Sequence, residues 1–258
     1  MPHIDAMTVD FTAARGEQGA APAPPPGTRV YAVGDIHGRI DLLREMNRLI
    51  RADAEERRAR RNVLVYLGDY VDRGLESRAV IDLFLDAPLP GFETVHLRGN
   101  HEDIMVRFLA DISVGPNWFA FGGLETLASY GVAPPEPMIS VAELERCQLE
   151  LGRNLPRPHL KFLRRLRTSH CEGGYFYVHA GVRPGIALEA QSEDDLLWIR
   201  DDFLLSDEPH AKLVVHGHSI AAKPVVRANR IGIDTGAYAT GRLTCLVAEG
   251  TGWAFLQT

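Results

Sequence analysis

Val63-Leu64-Val65-Tyr66-Leu67-Gly68-Asp69-Tyr70-Val71-Asp72-Arg73-Gly74 decides how this chain is read. Five apolar residues run directly into a loop that holds two carboxylates and one guanidinium between two glycines. The run reads as a buried strand, and the loop as its polar end. Loops at strand ends are where α/β proteins place their chemistry. One such loop proves little, because Gly and Asp are also ordinary turn residues. The test is whether other strand ends carry matching parts.

They do. Upstream, Arg29-Val30-Tyr31-Ala32-Val33 ends in Gly34-Asp35-Ile36-His37-Gly38. A helical pattern follows, with Ile40, Leu43, Met46 and Ile50 on one face. Downstream, Ala79 to Leu85 reads as a helix stopped before Pro88. Thr94-Val95-His96-Leu97 then runs into Arg98-Gly99-Asn100-His101-Glu102. Strand, loop and helix repeated in this way mark βαβ units. In the last third, Tyr175 to Val178 leads into His179-Ala180-Gly181, and Leu213-Val214-Val215 into His216-Gly217-His218. Arg230 to Ile233 leads into Asp234-Thr235-Gly236. The stretches 243–248 and 253–256 read as closing strands.

Between these blocks, residues 111–158 read as a helical insertion with loops, roofing the strand ends. Residues 1–27 hold Ala21-Pro22-Ala23-Pro24-Pro25-Pro26-Gly27 and no periodic apolar pattern, so they read as a disordered or polyproline-like leader. The remainder, 28–258, reads as a single domain.

Composition narrows the function. The chain has 258 residues, 45% of them apolar, and a formal charge of -6. A mildly acidic chain without a basic stripe has no long-range pull on nucleic acid or an anionic membrane. The basic clusters at 57–61 and 164–167 read as helix ends favoured by the macrodipole. Three cysteines far apart imply free thiols in a reducing compartment. No apolar run approaches the ~20 residues of a membrane span, and no signal-peptide core is seen. The expected location is cytoplasmic.

Five strand ends thus carry Asp35 and His37, Asp69 and Asp72, Asn100 and His101, His179, and His216. Singly, each has a bland role: Asp35 or Asp69 as a helix cap, a lone His as a core residue. Together they form a carboxylate, imidazole and amide set that suits Mn²⁺, Fe²⁺ or Zn²⁺ better than Ca²⁺. If the strand stays extended, Asp35 and His37 point to one side. No thiolate lies near these motifs, which argues against a structural zinc site.

In this order, the motifs resemble the signature of the phosphoprotein phosphatase branch of calcineurin-like metallophosphoesterases, and most of all its bacterial and bacteriophage serine/threonine phosphatases. The resemblance spans about residues 29 to 248. It implies a four-layer α/β/β/α sandwich of two mixed sheets built on βαβαβ units, with a dinuclear site at the strand ends. Asp35, His37 and Asp69 would hold one divalent ion, Mn being the expected metal, with Fe or Zn as alternatives. Asn100, His179 and His216 would hold the second, with Asp69 bridging. A hydroxide between the ions would attack phosphorus in line. Arg73, Arg200 and Asn100 would bind the phosphoryl oxygens. His101 oriented by Asp72 would be the general acid. Asp234 and His218 would support the ligating rings, and Tyr238 would lie near the site.

The implied activity is phosphomonoester hydrolysis on phosphoserine, phosphothreonine or phosphotyrosine in proteins, or on small phosphoesters. The alternative is a diadenosine tetraphosphate hydrolase; relatives that cleave anhydrides tend to lack the equivalent of Asp72. Two departures stand out. Ser219 replaces the usual Thr, and Phe121 stands where an Asn is usual.

Overall fold

The computed structural model describes residues 21–136 and 138–258. Two five-stranded sheets face each other. The first has the order β10-β9-β1-β2-β3, from β1 (Thr28–Val33), β2 (Arg61–Tyr66), β3 (Phe92–His96), β9 (Thr244–Glu249) and β10 (Gly252–Gln257). The second has the order β4-β5-β6-β8-β7, from β4 (Ser169–Glu172), β5 (Tyr175–Val178), β6 (Leu213–His216), β7 (Val225–Val226) and β8 (Arg230–Gly232). β1, β2 and β3 run parallel, as do β5, β6 and β8, with antiparallel strands at the margins.

The strand period of two explains the layers. In β1, Val30 and Ala32 face the second sheet, while Tyr31 and Val33 face helices. β2 divides likewise: Val63 and Val65 point between the sheets, Leu64 and Tyr66 outward. In β5, Tyr175 and Tyr177 join the inter-sheet core, and Phe176 and Val178 the outer layer. Three apolar layers separated by two sheets are the expected α/β/β/α sandwich.

Helices α1 (Ile40–Arg57), α2 (Ser77–Asp86) and α3 (Asn100–Phe108) follow the first three strands. The insertion is α4 (Gly115–Trp118), a kink at Phe119–Gly123, α5 (Leu124–Ser129) and α6 (Val141–Asn154). Next comes α7 (Arg157–Leu163), and α8 (Glu193–Trp198), α9 (Asp201–Leu204) and α10 (Ala237–Thr240) complete the set. Among the described residues no helix is long and apolar enough to cross a membrane.

The leader reads differently in the structure. Residues 1–20 lie outside the described residues, but the proline-rich end packs against the β4–β5 turn. The Gly174 N–H donates to Ala23 O (2.8 Å), and Thr28 N–H to Pro25 O (3.0 Å). A Cβ at Gly174 would meet Pro22 at 3.0 Å, so the small turn is what admits the leader. Removing residues 1–27 is expected to lower the thermal transition by a few degrees, since net hydrogen bonds are worth about 0.5–1.5 kcal/mol each. An unchanged transition would show that these contacts add nothing to stability.

Candidate active site

The site begins with backbone that ordinary side chains avoid. Of six described non-glycine residues with positive φ, five belong to its motifs: His37 (47°), Asp69 (51°), Asp72 (72°), Arg73 (67°) and His218 (62°). Left-handed conformations at such residues cost roughly 1–3 kcal/mol each and persist only where surroundings over-determine them. Glu102 supplies much of that constraint. Its fully buried carboxylate accepts from the N–H groups of Asp69 (2.9 Å), Tyr70 (2.7 Å), Val71 (3.2 Å) and Gly99 (2.9 Å). Burial, then the charge of Asp69, pushes this carboxyl up to about 8. The first two loops are also pinned together, because Asp69 O accepts from both Ile36 N–H and His37 N–H.

Asp69 lies at the centre. His37 Nε2 is 3.5 Å from its Oδ2, His101 Nε2 3.9 Å from the same oxygen, and His179 Nε2 3.4 Å from Oδ1. Two sets of potential ligand atoms, His37–Asp69–His101 and Asp69–His179–His218, each lie within 4.8 Å of one another. They share Asp69. Asn100 Oδ1 is 2.9 Å from His179 Nε2, and His218 Nδ1 is 3.2 Å from it. The outer nitrogens of two rings are occupied: Nδ1–H of His37 donates to Val71 O (2.8 Å), and that of His179 to Leu67 O (3.0 Å). Each Nε2 then presents its lone pair toward Asp69, and that of His37 has no hydrogen-bond partner. Burial keeps both rings neutral, pushing His37 down to about 3 and His179 below its ordinary value.

The donor set fits divalent cations. Asp35 Oδ1, His37 Nε2 and His218 Nε2 are buried without hydrogen-bond partners. Asp35, Asp69 and Asp234 crowd together, and burial and its two carboxylate neighbours hold Asp35 well above the carboxylate range. The cradle is cut to size by glycine: a Cβ at Gly217 would run into Asp35 Oδ1, and one at Gly99 into Asp69 Oδ1. Gly99→Ala is therefore expected to cost about 1–3 kcal/mol of stability by overpacking and to abolish turnover. Gly99 has φ of −91°, so the clash alone is tested. Thermal unfolding beside an aryl phosphate assay checks it.

Two expected placements are corrected. His216 is not brought to the cluster. It is still part of β6, paired with Gly232, and alternation puts it on the outer face with Val214. Its ring packs 5.1 Å from Phe203. Two residues later, left-handed His218 swings inward, and its N–H donates to Asp35 Oδ2 (2.9 Å). His218 thus stands where His216 was expected. Asp234 does not accept from a ligating ring either; backbone carbonyls do. It accepts Gly236 N–H (2.9 Å) and sits beside Asp35, its own carboxyl pushed up to about 6, chiefly by burial.

His101 and Asp72 form a tight pair, Nδ1 to Oδ2 at 2.6 Å. Burial opposes a charged ring, but the carboxylates of Asp69 and Asp72 prevail and raise His101 to about 9. Asp72 is held from the insertion: Trp118 Nε1–H donates to Oδ2 (2.8 Å) and Thr126 Oγ1–H to Oδ1 (2.6 Å). The insertion thus walls the dyad. Trp118 and Thr126 stand in a legible stretch, Trp118 followed by Gly122-Gly123 and Thr126, but nothing in it marked them as Asp72 donors. Arg73 lies over the Tyr238 ring (4.7 Å), with one guanidinium nitrogen 3.4 Å from His101 Nε2. Tyr238 stands 5.4 Å edge-on to His37. Arg200 is exposed at the rim, at the start of α9, and its charge bears on His179 and His218.

The calcineurin-like phosphoesterase model matches residues 28–236. The chain belongs to that family. It is a metal-dependent phosphatase. Serine/threonine-protein phosphatase 1 of Salmonella typhimurium is 27% identical over 225 residues, covering 83% of this chain and 89% of the relative. A bis(5'-nucleosyl)-tetraphosphatase of Anoxybacillus flavithermus is 25% identical over 199 residues, covering 71% and 74%. Among solved structures, a cold-active protein-tyrosine phosphatase of a Shewanella species matches with a TM-score of 0.51 at 15% identity, over 92% of this chain and 82% of that one. That likeness is one of fold.

Proposed function

We propose that this phosphatase hydrolyses phosphomonoesters, with phosphoserine and phosphothreonine in proteins as its substrates and phosphotyrosine as a further one. The observation that carries the reading is the 2.6 Å His101–Asp72 pair beside Asp69. An alkoxide leaving group needs a proton, and a histidine with a raised pKa next to the cluster is built to give one. A nucleotide leaving from an anhydride needs far less help.

In this reading His37, Asp35 and Asp69 hold one divalent ion, manganese being our choice, and Asp69, Asn100, His179 and His218 the other. Bound ions would supply Lewis-acid charge to the phosphoryl group and an acidified water. The rest falls to the chain. Arg73 and Arg200 clamp the phosphoryl oxygens from two sides, and the Asn100 amide donates a third contact. Tyr238 keeps the Arg73 fork in place. His101 protonates the departing oxygen, held by Asp72 in the required tautomer.

A second reading, hydrolysis of bis-nucleoside tetraphosphates, is favoured by one feature. Phe121 is 56% exposed, next to Gly122, whose carbonyl accepts the Arg73 N–H (3.1 Å). An exposed ring beside the phosphate clamp offers a stacking surface for a base. Relatives at 25–27% identity carry both names, so leaving-group chemistry is the discriminator. With Mn²⁺ added, kcat/KM on a phosphoserine peptide is expected to exceed that on diadenosine tetraphosphate by at least about tenfold. The reverse order selects the second reading.

A further inference from the structure

Behind the strand that delivers Asn100 lies a groove the proposed chemistry does not use. It has a volume of about 460 Å³ and opens between the outer edge of β3 and the end of α7. Such a volume is in the range of small-molecule sites. Its apolar walls come from Leu85, Val95, Pro158, Phe162 and Leu166. Lys161, Arg165 and Arg167 stand over it, and no carboxylate lines it.

The chain carries a net charge of -6, and several of its surface arginines, among them Arg39, Arg48, Arg61, Arg146 and Arg183, each grip a carboxylate. Among the described residues Lys161, Arg165 and Arg167 make no ion pair. A favourable helix end accounts for cations near α7. It does not account for three of them unpaired around an apolar hollow.

The groove also has unspent polar groups. His96 lines it, boxed by Phe84 (4.6 Å), Phe162 (5.0 Å) and Tyr66 (5.1 Å), with its Nε2 buried and without a hydrogen-bond partner. On the edge of β3, His96 O faces outward to Arg167 N–H (3.2 Å). By alternation the N–H and C=O of Thr94, two residues back, face the same way, into the groove.

We infer that this groove binds a small amphiphilic anion, with its apolar body between Val95 and Phe162 and its charge among Lys161, Arg165 and Arg167. The ligand is a separate molecule from the phosphoester at the metal cluster, so the inference does not depend on the substrate reading.

Anilinonaphthalenesulfonate has this chemistry and reports binding by fluorescence. Titrated into the full chain, it is expected to fill one saturable site that saturating inorganic phosphate does not displace. Lys161→Glu with Arg165→Glu weakens it at least about tenfold, and the uncharged phenylnaphthylamine binds weaker than it by a similar factor. Leu85→Trp, which fills the hollow and leaves the charges, causes the same loss, and it decides the matter if the charge reversal unfolds the chain. Unchanged affinity in a folded variant, equal binding of the neutral analogue, or displacement by phosphate would each overturn the inference.

Discussion

Asp69→Asn is expected to leave a folded chain that retains no more than one divalent ion and loses at least about 10³-fold in kcat/KM, some 4 kcal/mol of transition-state stabilisation. The size of the effect follows from position. Asp69 is the one carboxylate common to both ligand sets, and it faces His37, His101 and His179 within 3.9 Å. Burial alone would raise its pKa, yet attraction to the surrounding histidines, of which His101 is the one that stays protonated, outweighs that and holds it well below the usual carboxylate range. It is therefore charged at neutral pH. The amide is isosteric, so its carbonyl still accepts the His101 N–H that Asp69 Oδ1 accepts at 3.2 Å. What disappears is the charge that two cations would share. Metal content by elemental analysis after dialysis, measured beside turnover, separates the outcomes. A variant that keeps two ions and full activity ends the shared-carboxylate account.

Much of this arrangement was legible in the chain before the structure. Asp35, His37, Asp69, Asn100 and His179 could be placed because each follows a short apolar strand, and parallel strands bring their ends to one edge. Residues that depend on the exit conformation were not legible. His216 and His218 are chemically identical and two apart, so alternation alone sends both to one face. A single left-handed residue breaks that parity, and nothing in His-Gly-His says which ring turns in. The same limit applied to Asp35 and His37, since β1 ends at Val33 and His37 is itself left-handed. Glu102 was visible as a letter in a motif, but its four backbone contacts join segments 33 residues apart. Likewise Trp118 and Thr126 reach Asp72 across 46 and 54 residues. Long-range donors of this kind leave no periodic trace.

His101→Asn is expected to separate substrates by their leaving groups. On a phosphoserine peptide kcat falls about 10²–10⁴-fold, the usual worth of a positioned acid. On nitrophenyl phosphate the loss stays within about tenfold, because nitrophenolate departs without a proton. Asp72→Asn gives the same pattern in milder form, and it adds a second readout. The Asp72 carboxylate is among the charges that lift His101 to about 9. Removing a negative neighbour lowers the pKa of a cationic acid, so its protonated form is lost at lower pH. The alkaline limb of the phosphoserine profile therefore moves to lower pH in Asp72→Asn, while the nitrophenyl limb stays in place. Cations held beside Asp69 would share its charge and bring the parent value nearer neutrality, where a general acid is most effective. A structural role for the pair makes a different forecast: both substrates decline equally, and no limb moves. Equal losses, with profiles superimposed, would remove His101 as the acid and take away the main reason for preferring esters over anhydrides at this site.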